Sequence, residues 1–276
     1  MTRTSLSKTA AALLPFLVLV ALAPGCKKKT VELTPDLASS DEALYKLGEA
    51  EIKGDMEKGI LYLRQVIDSF PKSFYAQRAK LLIADAYFRK GDESNMILAA
   101  AEYREFIRTY PYSPSAAYSQ YQIAMTFYKK MLKPGRDPSK TIQSLAEFKK
   151  VIADYPASDQ AKPAQERIKE CEERLAAHGA DIAISYHDRK AYRASISRLT
   201  EVMSTYPEYS RLDRLYYYLG DCHFWLRQYD QAAPFFAKVV SDYSGQKLAK
   251  DASKKLAEIE KLKAAATAAA AKPKKS

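Results

Sequence analysis

Aromatic-proline pairs punctuate this chain at Phe70-Pro71, Tyr110-Pro111, Tyr155-Pro156 and Tyr206-Pro207, and Tyr243-Ser244 stands as a fifth, imperfect copy. Twelve residues before each proline slot lies a small residue: Gly59, Ala99, Ser144, Ser195 and Ala232. Eight before it lies a bulky one: Leu63, Tyr103, Phe148, Leu199 and Phe236. Five before it lies Val66, Phe106, Val151, Val202 or Val239. Four matched columns in five copies define a tandem array. Each unit is too short to bury its apolar face alone, so neighbours must stack and share a core.

The column order, small then large then apolar then proline, is the second-helix half of a tetratricopeptide repeat. First helices carry their own apolar-small pairs at Leu47-Gly48, Ile83-Ala84, Ile123-Ala124 and Leu219-Gly220, with Ile168-Lys169 as a deviant copy. The small residue lets two antiparallel helices approach, and the large residues of the partner fill the remaining space. Gly54-Asp55 and Gly91-Asp92 mark turns between helices, and Ser39 with Glu42 predicts a capping box at the first helix. The expected fold is all-α: a tetratricopeptide-repeat superhelix of about five helix pairs, closed by a capping helix from Gln246 to about Ala265.

Two repeats depart from the regular length. The third carries an insertion from about Lys129 to Thr141, closing with Asp137 as N-cap and Pro138 at the first helical position. In the fourth, the first-helix region runs from Lys162 to about Arg189, twice the usual length if Gly179 does not break it. Such a helix would join three amino-terminal repeats, residues 39–160, to two carboxy-terminal ones with their cap, residues 161–265; residues 266–276 are expected as a basic, disordered tail rich in alanine and lysine. Cys171 and Cys222 fall in the same column of successive repeats, where side chains point the same way, so the two are read as packing residues without a disulfide.

The amino terminus reads as an export signal. Arg3 and Lys8 precede an apolar stretch from Ala10 to Ala23, and small residues lead into Cys26. Those 14 apolar residues, interrupted by Pro15, fall short of the roughly 20 of a membrane-spanning helix. Leu22-Ala23-Pro24-Gly25-Cys26 resembles the lipobox at which bacterial lipoproteins are acylated and cut, although Leu22 stands four residues before the cysteine where the box has its leucine at three. The resemblance implies a signal over residues 1–25, a covalent diacylglycerol and N-acyl chain on Cys26, and a linker over residues 26–38. With Lys27 next to the cysteine, outer-membrane delivery facing the periplasm is expected. The other reading is a soluble periplasmic protein cut after Ala23. Loss of residues 1–25 removes two bases and no acid, lowering the formal net charge from +11 to +9. Export argues against nucleic acid as the partner of this excess; lysines at 27–29 beside a lipid anchor suit anionic headgroups instead.

No catalytic or metal-binding pattern is legible. His178, His187 and His223 lack a second ligand at metal spacing, and the adjacent Asp221, Cys222 and His223 diverge by about 100° per residue on a helix. Neither an enzyme nor a cofactor-dependent protein is expected. Tetratricopeptide arrays bind polypeptide along the concave wall of their first helices. Helical geometry turns Tyr45, Arg78, Asp85, Phe88, Tyr118, Tyr121, Met125 and Tyr128 of the first three repeats toward that wall. Aromatics with a polar edge suit a peptide groove, burying much area for little rotamer entropy.

The stretch from Gly135 to Ser210 resembles the BamD/ComL lipoproteins, through Arg136-Asp137-Pro138, Phe148 to Tyr155-Pro156 with Ser158, Arg174-Leu175-Ala176, Ile184 to Tyr186, Tyr192, Ser197-Arg198-Leu199 and Tyr206-Pro207. The resemblance implies a non-enzymatic component of the machinery that inserts β-barrels into the outer membrane. Its first three repeats would hold the targeting segment of unfolded barrel substrates. Its last two would dock the periplasmic domains of the barrel-forming partner, with Arg198 in the partner-facing region, and other assembly lipoproteins are possible further partners. An alternative sharing the export and the repeats is a periplasmic lipoprotein that regulates cell-wall or division enzymes.

Overall fold

A computed structural model describes residues 40–270. Its described residues form α1 (Asp41–Glu51), α2 (Met56–Ser69), α3 (Phe74–Lys90), α4 (Glu93–Thr109), α5 (Ser115–Tyr128), α6 (Ser139–Asp154), α7 (Ala161–Asp188), α8 (Tyr192–Thr205), α9 (Leu212–Trp225), α10 (Tyr229–Asp242) and α11 (Lys247–Ala270). Successive helices pack as antiparallel neighbours, giving five pairs and a capping helix. The tetratricopeptide superhelix is therefore the fold. The export signal, Cys26 and the linker lie outside the described residues. Among the described residues no helix is long and apolar enough to cross a membrane.

Helix ends follow the punctuation. Asp55 and Asp92 cap α2 and α4, accepting from the backbone N–H of Lys58 and Asn95 at 3.0 Å each. Gly91 turns between α3 and α4 at φ 78°, a left-handed conformation that costs glycine nothing. Each aromatic of the aromatic-proline pairs ends a second helix: the N–H groups of Phe70, Tyr110, Tyr155, Tyr206 and Tyr243 donate to the carbonyls of Val66, Phe106, Val151, Val202 and Val239. At α6 the cap lies one residue later than expected: Pro138 holds the N-cap position and Ser139 opens the helix, while Asp137, just outside, accepts from the Ser139 N–H at 3.0 Å. At the first helix the capping residue is Ser40, whose Oγ accepts from Ala43 N–H at 3.3 Å. Ser39 lies outside the described residues, and Glu42, one position too early for a reciprocal box, pairs with Lys46 at 2.6 Å.

The core is built by the columns. Leu63, Tyr103, Phe148, Leu199 and Phe236 are fully buried. A β-carbon at Gly48 would sit 2.7 Å from Leu63, and one at Gly220 would sit 3.0 Å from Phe236, so small first-helix residues are what admit the large partners. Ser144 and Ser195 also bind the first helix, donating from Oγ to the carbonyls of Ala124 at 3.3 Å and Ala183 at 2.8 Å.

That last bond corrects the register of the fourth repeat. Ala183, matching Ala124, holds the small position, 14 residues beyond Lys169. The following turns agree: Lys190 and Arg227, at φ 61° and 60°, stand at equal distance after Ala183 and Gly220. The helix α7 runs unbroken through Gly179 for 28 residues, roughly 42 Å, and serves two units. Its first half places Ala164, Ile168 and Cys171 against Phe148, closing the three-repeat unit. Its second half places Ala176, Ala180 and Ala183 against Leu199, Val202 and Leu215, opening the two-repeat unit. Both cysteines are free and buried, Cys171 beside Ser144 and Cys222 in the cluster around Leu199. The capping helix α11 continues to Ala270, past Ala265, in an alanine-rich stretch of high helix propensity.

Candidate peptide-binding groove and docking face

On the first-helix wall, the eight residues picked out by helical spacing fall into linked groups. Tyr45 is buried, 4% exposed, under Tyr75 at 5.4 Å and under the Arg78 guanidinium, 4.9 Å from its ring centre. Its hydroxyl donates to Glu49 Oε1 at 3.1 Å. Asp85 joins the second and third repeats, accepting from the hydroxyls of Tyr103 at 2.5 Å and Tyr118 at 2.9 Å. Burial and then the Asp85 carboxylate push the Tyr118 phenol up to about 12, and the same two causes raise Tyr103 further. Phe88 lies edge-on to Tyr103, with Lys129 Nζ 4.0 Å from its ring centre.

Tyr121, Met125 and Tyr128 of α5 pack around Phe148, the two tyrosines at 5.4 and 6.0 Å between ring centres. Tyr128 donates to Glu170 and accepts from Arg167 at 3.0 Å, which ties α5 to the first half of α7. Tyr45 is buried, Arg78 is exposed and the other six are half-buried, with the polar edges of Asp85, Tyr118 and Tyr128 held by hydrogen bonds. This is a fixed, aromatic, hydrogen-bonding wall suited to non-covalent contact. Among the described residues no group of three metal-ligating side chains gathers.

Arg198 stands on the outer side of the two-repeat unit, on α8. It is half-exposed and pairs with Glu201 at 2.7 Å. It rims a cleft of about 330 Å³ between the inserted loop, α7 and α8, floored by Pro138, Leu175, Val202 and Tyr206. Ile142 and Ile182, 52% and 41% exposed, flank that cleft. Helix α7 pins the loop, Arg174 donating to the Leu132 carbonyl at 2.5 Å and His178 contacting the Pro134 carbonyl.

Sequence reasoning missed the counterpart of the groove in the two-repeat unit. Trp225, 54% exposed, stacks on Tyr192 with an interplanar angle of 7°. Beside them Asp221 accepts from His187 Nε2 at 2.7 Å and from the Trp225 indole at 3.1 Å. The available signal was that Asp221 follows the small Gly220 as Asp85 follows Ala84.

The profile of the YfiO family, described as outer membrane lipoprotein, matches residues 37–220, and a tetratricopeptide-repeat profile matches residues 214–245. The outer membrane protein assembly factor BamD of Haemophilus influenzae is 25% identical over 206 residues, covering 71% of this chain and 76% of the relative. That of Caulobacter vibrioides is 28% identical over 163 residues, covering 59% and 52%. That of Vibrio cholerae is 26% identical over 203 residues, covering 70% and 82%. The family match runs from the entry of α1 to the middle of α9, through the inserted loop and the shared helix α7, and the chain belongs to the YfiO outer membrane lipoprotein family.

Proposed function

We propose that this protein is a non-enzymatic scaffold of outer-membrane protein assembly, tethered to the outer membrane by a diacylglycerol and an N-acyl chain on Cys26 and facing the periplasm. The observation that carries the reading is the series of aromatic groups on the first helices from Tyr45 to Tyr128, on a chain whose relatives are named outer membrane protein assembly factors. Repeats one to three hold the targeting segments of unfolded barrel substrates along that wall. Repeats four and five dock the periplasmic domains of a barrel-forming partner, with Arg198 and the neighbouring apolar cleft at the contact. A half-exposed cation above exposed isoleucines has the make-up of an interface patch, an apolar centre with a charged rim.

Mild detergent solubilisation followed by affinity capture of this chain tests the reading. An outer-membrane barrel protein with soluble periplasmic domains should be recovered in near-stoichiometric amount. Recovery of peptidoglycan or division enzymes alone would reject it.

A further inference from the structure

Asp221 is unusual among the carboxylates of the described residues. Its side chain is 9% exposed, and its Oδ1 is a buried oxygen without a hydrogen bond. The other oxygen, Oδ2, takes both the His187 and the Trp225 donors. Lys255 Nζ of the capping helix approaches Oδ1 to 3.5 Å. The same ammonium lies 3.8 Å from the ring centre of Phe224 and 5.2 Å from that of Trp225. A carboxylate at the base, aromatic faces around it and an ammonium resting on those faces make up a cation-recognition site. The chain's own lysine fills it.

Lys255 is a replaceable occupant. It comes from a different helix, on a flexible four-carbon stem, and a second carboxylate, Glu258, lies 3.8 Å away on the same helix. An incoming cation that reached Oδ1 would leave Lys255 a partner one turn further along α11. Trp225, half-exposed and stacked on Tyr192, gives that cation an aromatic face reachable from solvent.

We propose that the Asp221–Trp225 site binds the ammonium or guanidinium of a lysine or arginine on a polypeptide segment laid along the first helices of repeats four and five, displacing Lys255. A polypeptide is the occupant because the site lies on the first-helix wall, where Gly220-Asp221 repeats the Ala84-Asp85 position of the amino-terminal groove. The inference stands apart from the assembly role: it concerns which side chain the wall selects, whatever protein carries it.

Trp225 is the sole tryptophan of the sequence, so selective excitation reports on this site directly. The experiment titrates the full chain in detergent with a fluorescein-labelled twelve-residue peptide alternating lysine and serine, and with its glutamine and glutamate versions. Anisotropy gives affinity and indole emission gives location. The lysine peptide should bind at least about tenfold more tightly than the other two and shift the indole emission. Asp221→Asn should weaken it about three- to tenfold, whereas Lys255→Met, which removes the competitor, should strengthen it. A merely structural role for the cluster would move both variants in the same direction. Where Asp221→Asn lowers the melting temperature too far to assay, Lys255→Met and Trp225→Leu decide the matter, the first strengthening and the second weakening binding. Equal affinity for lysine and glutamate peptides, weaker binding by Lys255→Met, or binding without change at the indole would overturn the proposal. The co-purification described above can fail while this charge selectivity holds, and the reverse.

Discussion

Gly179 of the long helix lies so close to Val202 that a β-carbon at position 179 would sit 2.5 Å from Val202 Cγ2. This contact fastens α8 to the half of α7 that belongs to the two-repeat unit. It explains why a poor helix former stands at the middle of a 28-residue helix.

Gly179→Ala should therefore destabilise the protein although it improves helix propensity. The propensity gain is about 1 kcal/mol in an exposed helix. Overpacking against a β-branched side chain with one preferred rotamer costs about 1–3 kcal/mol and offsets it. Equilibrium urea unfolding should show a net loss, and the double variant with Val202→Ala should recover part of it. A more stable Gly179→Ala protein would mean that the two helices separate freely.

Stability should fall in alkali, for a reason located in the core. Burial, and then Asp85, push the Tyr118 phenol from its ordinary 10.0 up to about 12, and burial pushes the Cys222 thiol from 9.0 up to about 11. Both groups favour the fold while neutral. Their contribution is complete below the unfolded values and is lost as pH climbs through the folded ones. Melting temperature should hold to about pH 9 and decline between about pH 9 and 12. Cys222→Ala should flatten the lower part of that decline and Tyr118→Phe the upper part. Variant profiles parallel to the parent would remove these two groups as its source.

The repeat array was legible because its constraints are local: a small residue and a large one within a helix and a proline just past its end recur together, as Gly59, Leu63 and Pro71 do. The fourth repeat was misread at Lys169 because α7 closes one unit before opening the next, and both halves carry apolar residues at helical spacing. The Ser195 to Ala183 bond and the matching turns at Lys190 and Arg227 distinguish them. Tyr45 marks a different limit. Helical spacing gives the face of a residue and not its depth, and Tyr45 is covered by Tyr75 and Arg78 of α3, the first helix of the next repeat. The Asp221 site needed the register of α11, which no proline slot supplies, to bring Lys255 from 34 residues away.

Cys26→Ala should release the protein from membranes. The motivation is the lipobox-like stretch before Cys26, on a chain whose described helices include none able to span a bilayer. One acyl chain gives marginal attachment, and stable anchoring needs two signals, here diacylglycerol with an N-acyl chain or with the neighbouring lysines. Fractionation should find the variant soluble. Its persistence in the membrane pellet after an alkaline wash would contradict anchoring at this residue.

Arg198→Glu should weaken capture of the barrel-forming partner about tenfold or more and leave folding intact. The partition follows from exposure. Arg198 and Glu201 are 55% and 60% exposed, and an exposed pair one helical turn apart contributes only about 0.2–0.5 kcal/mol to stability. Reversing the charge therefore costs the fold little, beyond mild repulsion with Glu201. A partner contact over the Ile142 and Ile182 cleft is different, since docking strips water from the guanidinium and an uncompensated carboxylate there opposes association. The helical content and melting temperature of the variant should match the parent while the pull-down is lost. Unchanged recovery of the partner would move the docking face elsewhere on the two-repeat unit.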